Sequence, residues 1–401
     1  MNVLDKLLEN YQLFEEIQIK DRFFKHNLIC DLLNSITNKR VFSIEEAGLS
    51  TMGRSIHLIK WGNGPCSVFL WSQMHGNEAT ATMALIDLLK FLSQNGLYNE
   101  IIDSIDKNCT LYILPMLNPD GAEVFTRRNA MEIDINRDFN SQQSPEGRLL
   151  RKLRDLIHPH FGFNLHDQST LWSAGKSGKP ATISLLAPAY NEELSINPVR
   201  QKAMQVIALM NKELQKNIPG CVGRFNDEYE LRAFGDNFQA AGTSTILIEA
   251  GGFYNDPEKQ YIRKIYFKAI LTGLISIAKE SYLTIKEKDY FLIPENKKLH
   301  FNLLLRNCKL QRNGIPYITD IGLVAVEKIN DDLHSVSLTY VLSELGDLSQ
   351  YFSYKEFNCE LYNITETGNL KIDEPADLIV NDGKQQLLSI KNGVLNMVIV
   401  C

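Results

Sequence analysis

Short apolar runs that stop abruptly at a turn or at a chemically active residue constrain this chain more than any other feature. Residues 55–60, 66–74, 109–117, 162–166 and 245–249 are apolar and of strand length. Between them lie stretches with the 3.6-residue period of a helix, at 79–92, 145–157, 198–216 and 257–280. Pro145, Pro198 and Pro257 each follow a Ser, Asn or Asp, which is the order of an N-cap and first helical residue. Asn118-Pro119-Asp120-Gly121 stops the run before it. Apolar strands alternating with helices predict an α/β fold with a mixed, largely parallel sheet flanked by helices on both faces. Ahead of it, residues 1–37 predict an amphipathic helical lead-in, with Leu4, Leu7, Leu8 and Tyr11 spaced on one face.

After about residue 283 the pattern changes to a period of two. Residues 323–326, 335–341, 359–364 and 394–400 alternate apolar with polar, and Asn313-Gly314, Asp382-Gly383 and Asn392-Gly393 supply turns. The expected division is an α/β domain over 1–283, its lead-in spanning 1–40, and a small antiparallel β domain over 284–401. The chain has 401 residues, 44% hydrophobic and 22% charged, which suits an ordinary globular protein. A formal charge of −6 gives no basic footprint for nucleic acid. No apolar run reaches the roughly 18–20 residues that a bilayer requires, and the first residues lack a basic-then-apolar leader, so a cytoplasmic protein without membrane association is expected. Seven scattered cysteines, never spaced as Cys-x-x-Cys, agree with reduced thiols. Oligomeric state leaves no mark in the sequence.

The chemistry gathers where strands end. His75 and Glu78 follow the 66–74 run, His166 closes the 162–166 run and Glu249 closes the 245–249 run. In open α/β sheets, ligand sites form beyond the carboxyl ends of strands. His75 and Glu78, three apart and expected on the first turn of the next helix, could both bind one Zn²⁺ at about 2.0–2.2 Å. Each residue also has an ordinary explanation. Glu78 favours a helix start through the macrodipole, and His166 could be a hydrogen-bonded core residue. Glu249 is harder to explain away, since a carboxylate ending a buried strand is costly without a partner or a task.

Between these residues stand Arg127-x-Asn129 and Asp134-Ile135-Asn136-Arg137. Taken in order, His75-x-x-Glu78, Asn118-Pro119-Asp120-Gly121, these two motifs, His166 and Glu249 resemble the zinc metallocarboxypeptidases of the M14, carboxypeptidase A-like family over residues 50–280. The resemblance implies one Zn²⁺ held by His75, Glu78 and His166, and Glu249 as general base. It further implies that Arg127 polarises the scissile carbonyl and that Asn136 and Arg137 clamp the carboxylate of a peptide substrate. The residue types suit those tasks, because Arg binds a planar carboxylate bidentately.

Departures from the family pattern are Glu132 where glycine is usual and Asp138 where asparagine is common. Tyr229 is the nearest candidate for the tyrosine that closes over substrate in digestive-type members. His158 and His160 are expected at the surface, and His26, His57, His300 and His334 show no partner pattern. A more distant resemblance, to succinylglutamate desuccinylase and aspartoacylase, leaves an N-acyl-amino-acid deacylase as the alternative. That branch shares the His-Gly-Asn-Glu string and a C-terminal β domain. A catalytically silent protein that only binds a ligand is the remaining reading.

Overall fold

Strands and helices form where the apolar periodicity places them. The computed structural model describes residues 3–36, 41–330, 335–366 and 370–397. Helices α1 (Val3–Glu9) and α2 (His26–Ser35) precede strands β1 (Ser43–Leu49), β2 (Ser55–Trp61) and β3 (Cys66–Ser72). Next come α3 (Thr80–Leu92), α4 (Asn99–Asn108), β4 (Cys109–Leu114), α5 (Pro119–Glu123), α6 (Pro145–Ile157), β5 (Phe161–Asp167) and β6 (Trp172–Ala174). β7 (Ile183–Leu186), α7 (Pro198–Leu214), β8 (Val222–Arg224), α8 (Phe234–Ala240), β9 (Ser244–Ala250) and α9 (Gln260–Ala278) complete this part.

Among the described residues, eight strands form one sheet in the order β1-β2-β4-β3-β5-β9-β7-β8. Its centre, β4-β3-β5-β9, is parallel, while β1 against β2, β2 against β4 and β7 against β9 are antiparallel. The mixed, largely parallel sheet expected from the sequence is therefore present. Side chains of β3 alternate between two cores, as a period of two requires. Val68 and Leu70 join the apolar cluster of α3, α7 and α9, whereas Phe69 and Trp71 join that of α6 and α8. The Pro-led starts of α6 and α7 are capped by Ser144 and Asn197, which accept amide protons from Gly147 and Arg200, and Asn118 does the same for Gly121 in the short α5. The last long helix begins at Gln260 and not at Pro257, because the Asp256 carboxylate accepts the Gln260 and Ile262 amides beyond a left-handed Lys259.

The lead-in departs from expectation. Instead of one helix it is α1, an irregular stretch and α2, with residues 37–40 outside the described residues. The cause is a buried ion pair. Arg263 of α9 donates to both oxygens of Asp87 in α3, at 2.7 and 2.6 Å, and both side chains are fully buried. Arg263 also donates to the carbonyls of Glu16 and Ile19, and Asp87 accepts from the amide of Glu16 and from the Tyr11 hydroxyl. Backbone groups committed to these buried charges are not free for a helical ladder.

Contacts divide the chain into two compact units, residues 1–169 with 181–296, and residues 170–180 with 297–401. The change in sequence pattern at 283 comes before this division because residues 284–296 still pack with the first unit. Tyr290 is fully buried there and accepts the Ala187 amide at 3.2 Å. Residues 170–180 group with the second unit through the Thr170 and Leu171 carbonyls, which accept from the Tyr354 hydroxyl and the His300 amide.

β10 (Asn296–Lys298), whose first residue still belongs to the first unit, pairs with β6, and the second unit continues with β11 (His300–Arg312), β12 (Ile315–Ile329), β13 (Val336–Gly346) and β14 (Phe352–Asn358). β15 (Asn363–Glu366), β16 (Leu378–Asn381), β17 (Gln386–Lys391) and β18 (Val394–Met397) make a further antiparallel sheet. The β11–β14 pairing is parallel, an exception to the antiparallel pattern. Asn313-Gly314 and Asn392-Gly393 turn with positive φ at both positions, as two-residue hairpins demand. Residues 398–400 of the last expected strand and His334 lie outside the described residues. Among the described residues, no helix is long and apolar enough to cross a membrane.

Candidate metal centre

β3 ends at Ser72, and the chain turns sharply before α3 begins at Thr80. His75 and Glu78 lie in this turn and not on the first turn of the helix, which corrects the sequence expectation. The turn is closed by the Glu78 amide donating to the His75 carbonyl at 3.1 Å. Gln73 takes a positive φ of 49° and donates through its side chain to the Gly76 carbonyl. Gly76 allows the turn to press against α5, since a Cβ there would stand 2.0 Å from the Gly121 carbonyl carbon. Asn118, besides capping α5, donates to the Met74 carbonyl at 3.2 Å. The Asn-Pro-Asp-Gly motif thus buttresses the His-x-x-Glu turn.

His166 is next to last on β5, directly across the parallel ladder from Glu249 on β9. Residues opposite one another in a ladder share a face of the sheet. His75, Glu78 and His166 are all buried, and their ligand-type atoms lie within 4.8 Å of one another. The Glu78 carboxylate sits between the two rings, 2.8 Å from His75 Nδ1 and 2.7 Å from His166 Nδ1. His75 Nε2 faces Asp134 Oδ1 at 3.1 Å, so with an ion bound the ring would donate outward and offer its Nδ1 lone pair inward. A carboxylate behind a histidine in this way fixes the tautomer that a metal ligand needs.

Arg127 enters the same cluster. Its Nη1 is 3.1 Å from both His75 Nδ1 and Glu78 Oε1, and its Nε donates to Asp134 Oδ2 at 3.0 Å. Arg128 points elsewhere and donates to the Glu132 carbonyl. The loop that carries them is anchored by Asn129, buried, which donates to Glu146 and accepts from the Met131 and Ile133 amides. Glu132 holds φ at +59°, the left-handed region that favours glycine, so the turn survives a side chain there at the cost of strain. Asp138 accepts from the Gln143 and Ser144 amides and the Ser144 hydroxyl, and so serves the start of α6.

Asn136 and Arg137 follow Asp134 on a single 3-10 turn. Asn136 Oδ1 accepts the Phe234 amide at 3.1 Å, and Arg137 Nε pairs with Glu230 Oε2 at 3.1 Å. Arg137 lines a cavity of about 450 Å³ with Arg128, Asp134 and Arg232. Tyr229 is partly exposed, and its acidic neighbours are Asp236 and Glu192. His158 and His160 are exposed, as the sequence suggested.

Electrostatics separate the two carboxylates. Burial works against charge on Glu78, yet the two imidazoles hold it well below the usual carboxylate range. Burial pushes Glu249 well above that range, and the charges of Glu78 and Asp167 push it further. Glu249 Oε2 and His166 Nε2 are buried without a hydrogen-bond partner. Two inward nitrogen donors, a carboxylate between them and an unsatisfied acid alongside form a donor set that fits Zn²⁺. Sequence reasoning gave no task to Asp134, although it lies within the Asp-Ile-Asn-Arg motif. It also passed over Asp167, which pairs with Lys259 at 2.9 Å beside the cluster.

A buried nitrogen and carboxylate donor cluster at the strand ends of a helix-flanked mixed sheet is a candidate metal-binding arrangement. Comparison with known proteins narrows the class: residues 29–164 match the zinc carboxypeptidase family, and the fold is that of the metallocarboxypeptidases. The chain superposes on a metallocarboxypeptidase from Burkholderia cenocepacia with a TM-score of 0.52 and 17% identity, over 65% of this chain and 70% of that one. It superposes equally, at 0.52 and 14% identity, on bovine thrombin-activatable fibrinolysis inhibitor in complex with tick carboxypeptidase inhibitor, over 68% and 99% of the two chains. In sequence it is 26% identical to carboxypeptidase B of Astacus astacus over 176 residues, 41% of this chain and 50% of that protein. It is 36% identical to carboxypeptidase SOL1 of Arabidopsis thaliana over 72 residues, 18% of this chain and 15% of that protein. The chain thus spans half or less of the curated relatives it matches.

Proposed function

We propose that this chain is a zinc-dependent metallocarboxypeptidase that hydrolyses the C-terminal amide bond of peptides. The observation that carries the proposal is the meeting of His75, Glu78, His166 and Arg127 in one cluster with Glu249 across the ladder from His166. His75, Glu78 and His166 would hold the ion, which when bound supplies a Lewis acid that acidifies water and polarises a carbonyl. Glu249 takes a proton from the attacking water and delivers it to the leaving amine as the carbon–nitrogen bond breaks. Burial and the neighbouring carboxylates raise its pKa, which makes it a stronger proton acceptor than an exposed carboxylate. Arg127, steered by Asp134, donates to the oxyanion that develops on the carbonyl. Asn136 and Arg137 receive the terminal carboxylate, which displaces Glu230 as the partner of Arg137. A cytoplasmic setting is part of the proposal, supported by cysteine spacing that suits free thiols.

The test compares matched peptides with free and amidated C-termini, with and without a chelator. Free acids should be cleaved at least tenfold faster, and activity should vanish with the chelator and return with Zn²⁺. Arg137→Ala should erase the preference for the free acid, because a charge-assisted hydrogen bond is worth about 1.5–3 kcal/mol. Equal cleavage of both peptide forms by the unmodified protein would rule out the exopeptidase reading.

The separate β unit over residues 297–401 favours one other reading, the N-acyl-amino-acid deacylase. A panel of N-acylated amino acids run beside the peptides decides between the two.

A further inference from the structure

Three residues outside the candidate centre converge where the sequence showed no pattern. His26 and Cys30 stand four apart on α2, hence on one face of that helix. Ser55 and His57 stand two apart on β2, hence on one face of that strand. The ligand-type atoms of His26, Cys30 and His57 all lie within 4.8 Å of one another. We propose that this cluster is a second metal site, binding a borderline-soft divalent cation of the Zn²⁺ class through two imidazoles and a thiolate and pinning α2 to β2.

His26 Nε2 donates to the Ser55 carbonyl at 2.8 Å, which leaves Nδ1 as the lone-pair nitrogen. A backbone carbonyl behind a ligating histidine is a common device for fixing its orientation. Cys30 Sγ lies 3.3 Å from His26 Nε2 and 3.8 Å from Nδ1, so the thiol rests against the ring. Zn–N and Zn–S bonds of about 2.0–2.1 and 2.3 Å in a tetrahedron set nitrogen and sulfur about 3.6 Å apart. The helix pair is therefore already in contact, but the sulfur lies nearer the nitrogen that holds the Ser55 carbonyl, so the Cys30 side chain must turn toward Nδ1 as His57 closes in.

His57 is half-buried, so its ring can rotate toward the other two. Glu46, exposed and directly opposite His57 in the β1–β2 ladder, is placed to fill the fourth position or to orient His57. Sulfur and imidazole donors select zinc-like ions over magnesium or calcium, which prefer oxygen. Binding converts the thiol to thiolate and releases one proton. The site does not depend on the proposed peptidase chemistry, because none of its residues belongs to the first cluster.

Sulfur separates the two sites in an experiment. The full chain, stripped of metal, is titrated with Co²⁺ while near-ultraviolet absorption is followed, and bound Zn²⁺ is counted separately by equilibrium dialysis. The first cluster has no sulfur, so a thiolate-to-cobalt charge-transfer band reports the second site alone. The expected result is that band together with two zinc ions per chain. Cys30→Ser and His57→Asn should each lose the band and one zinc equivalent while leaving the first ion in place. His57→Asn serves where the cysteine variant fails to fold, since it leaves the thiol intact. Absence of the band in the unmodified protein would overturn the proposal, as would a band and a zinc count that persist unchanged in His57→Asn. Zinc bound at the second site alone would support this proposal while overturning the first centre.

Discussion

At Glu249 the fold and the chemistry pull in opposite directions. A carboxylate enclosed by its own strand and by Glu78 and Asp167 is costly to ionise, and that cost makes it a useful proton acceptor. Glu249→Gln keeps the shape and removes the basicity. It should retain zinc and substrate binding while kcat falls by about 10²–10⁴, the usual range for lost general-base catalysis. Normal kcat with full zinc would end the mechanism, and loss of zinc would make Glu249 a ligand. Asp236 gives a test through pH, since burial raises its carboxyl to about 6 from an unfolded value near 3.9. Below pH ~4 the acid is protonated in both states and costs nothing. As pH rises toward 6 the unfolded chain ionises first and stability is lost. Asp236→Asn should match the parent at pH 4 and exceed it by about 1–2 kcal/mol at pH 8, the partial exposure of the side chain moderating the gain. A denaturant series at both pH values checks the sign. At this scale His75, Glu78, His166, Arg127 and Glu249 were legible because each sits at a strand end or in an ordered motif. His26, Cys30 and His57 were not, because a helix-spaced pair and a strand residue meet only after folding.

Among the elements, α3 shows how a tertiary charge pair overrides local preference. It is buried on nearly every side, and Asp87 at its centre survives there only because Arg263 of α9 supplies two hydrogen bonds. Removing one member leaves a buried charge unanswered, so Asp87→Ala should destabilise the fold by about 3–5 kcal/mol. The double change to Leu at 87 and Met at 263 should cost much less, and a double-mutant cycle measures the difference. If the single change costs under about 1 kcal/mol, the pair is not what orders residues 11–20. The starts of α6 and α7 were readable from Pro and its capping neighbour, and strands from their apolar runs, whereas α9 starts three residues after Pro257. The irregular stretch between α1 and α2 was not readable, since its cause lies in α3 and α9, far away along the chain. The placement of His75 and Glu78 ahead of α3 was missed for a similar reason: the turn is shaped by Gly76 meeting Gly121 and by Asn118.

For the molecule as a whole, the two units have separate cores. The clusters around α3, α7 and α9 and around α6 and α8 lie within the first unit, and that of β11, β12, β16 and β17 lies within the second. Every residue assigned to either metal site belongs to the first unit. An ion that binds only folded protein adds RT ln(1 + [L]/Kd), about 4 kcal/mol at a thousandfold excess over Kd. For a unit approaching 300 residues that is a rise of roughly 5–10 °C in Tm. Calorimetry of the metal-free chain should therefore resolve two transitions, and added Zn²⁺ should move only the one assigned to the first unit. Assignment follows from Asp87→Ala, which should lower the same transition that zinc raises. The metal-free first unit should still melt cooperatively, because its apolar core does not pass through the ligands. A zinc-dependent shift in the transition that Asp87→Ala leaves untouched would mean that metal binding involves the second unit, and the assignment of the ligands would fall with it.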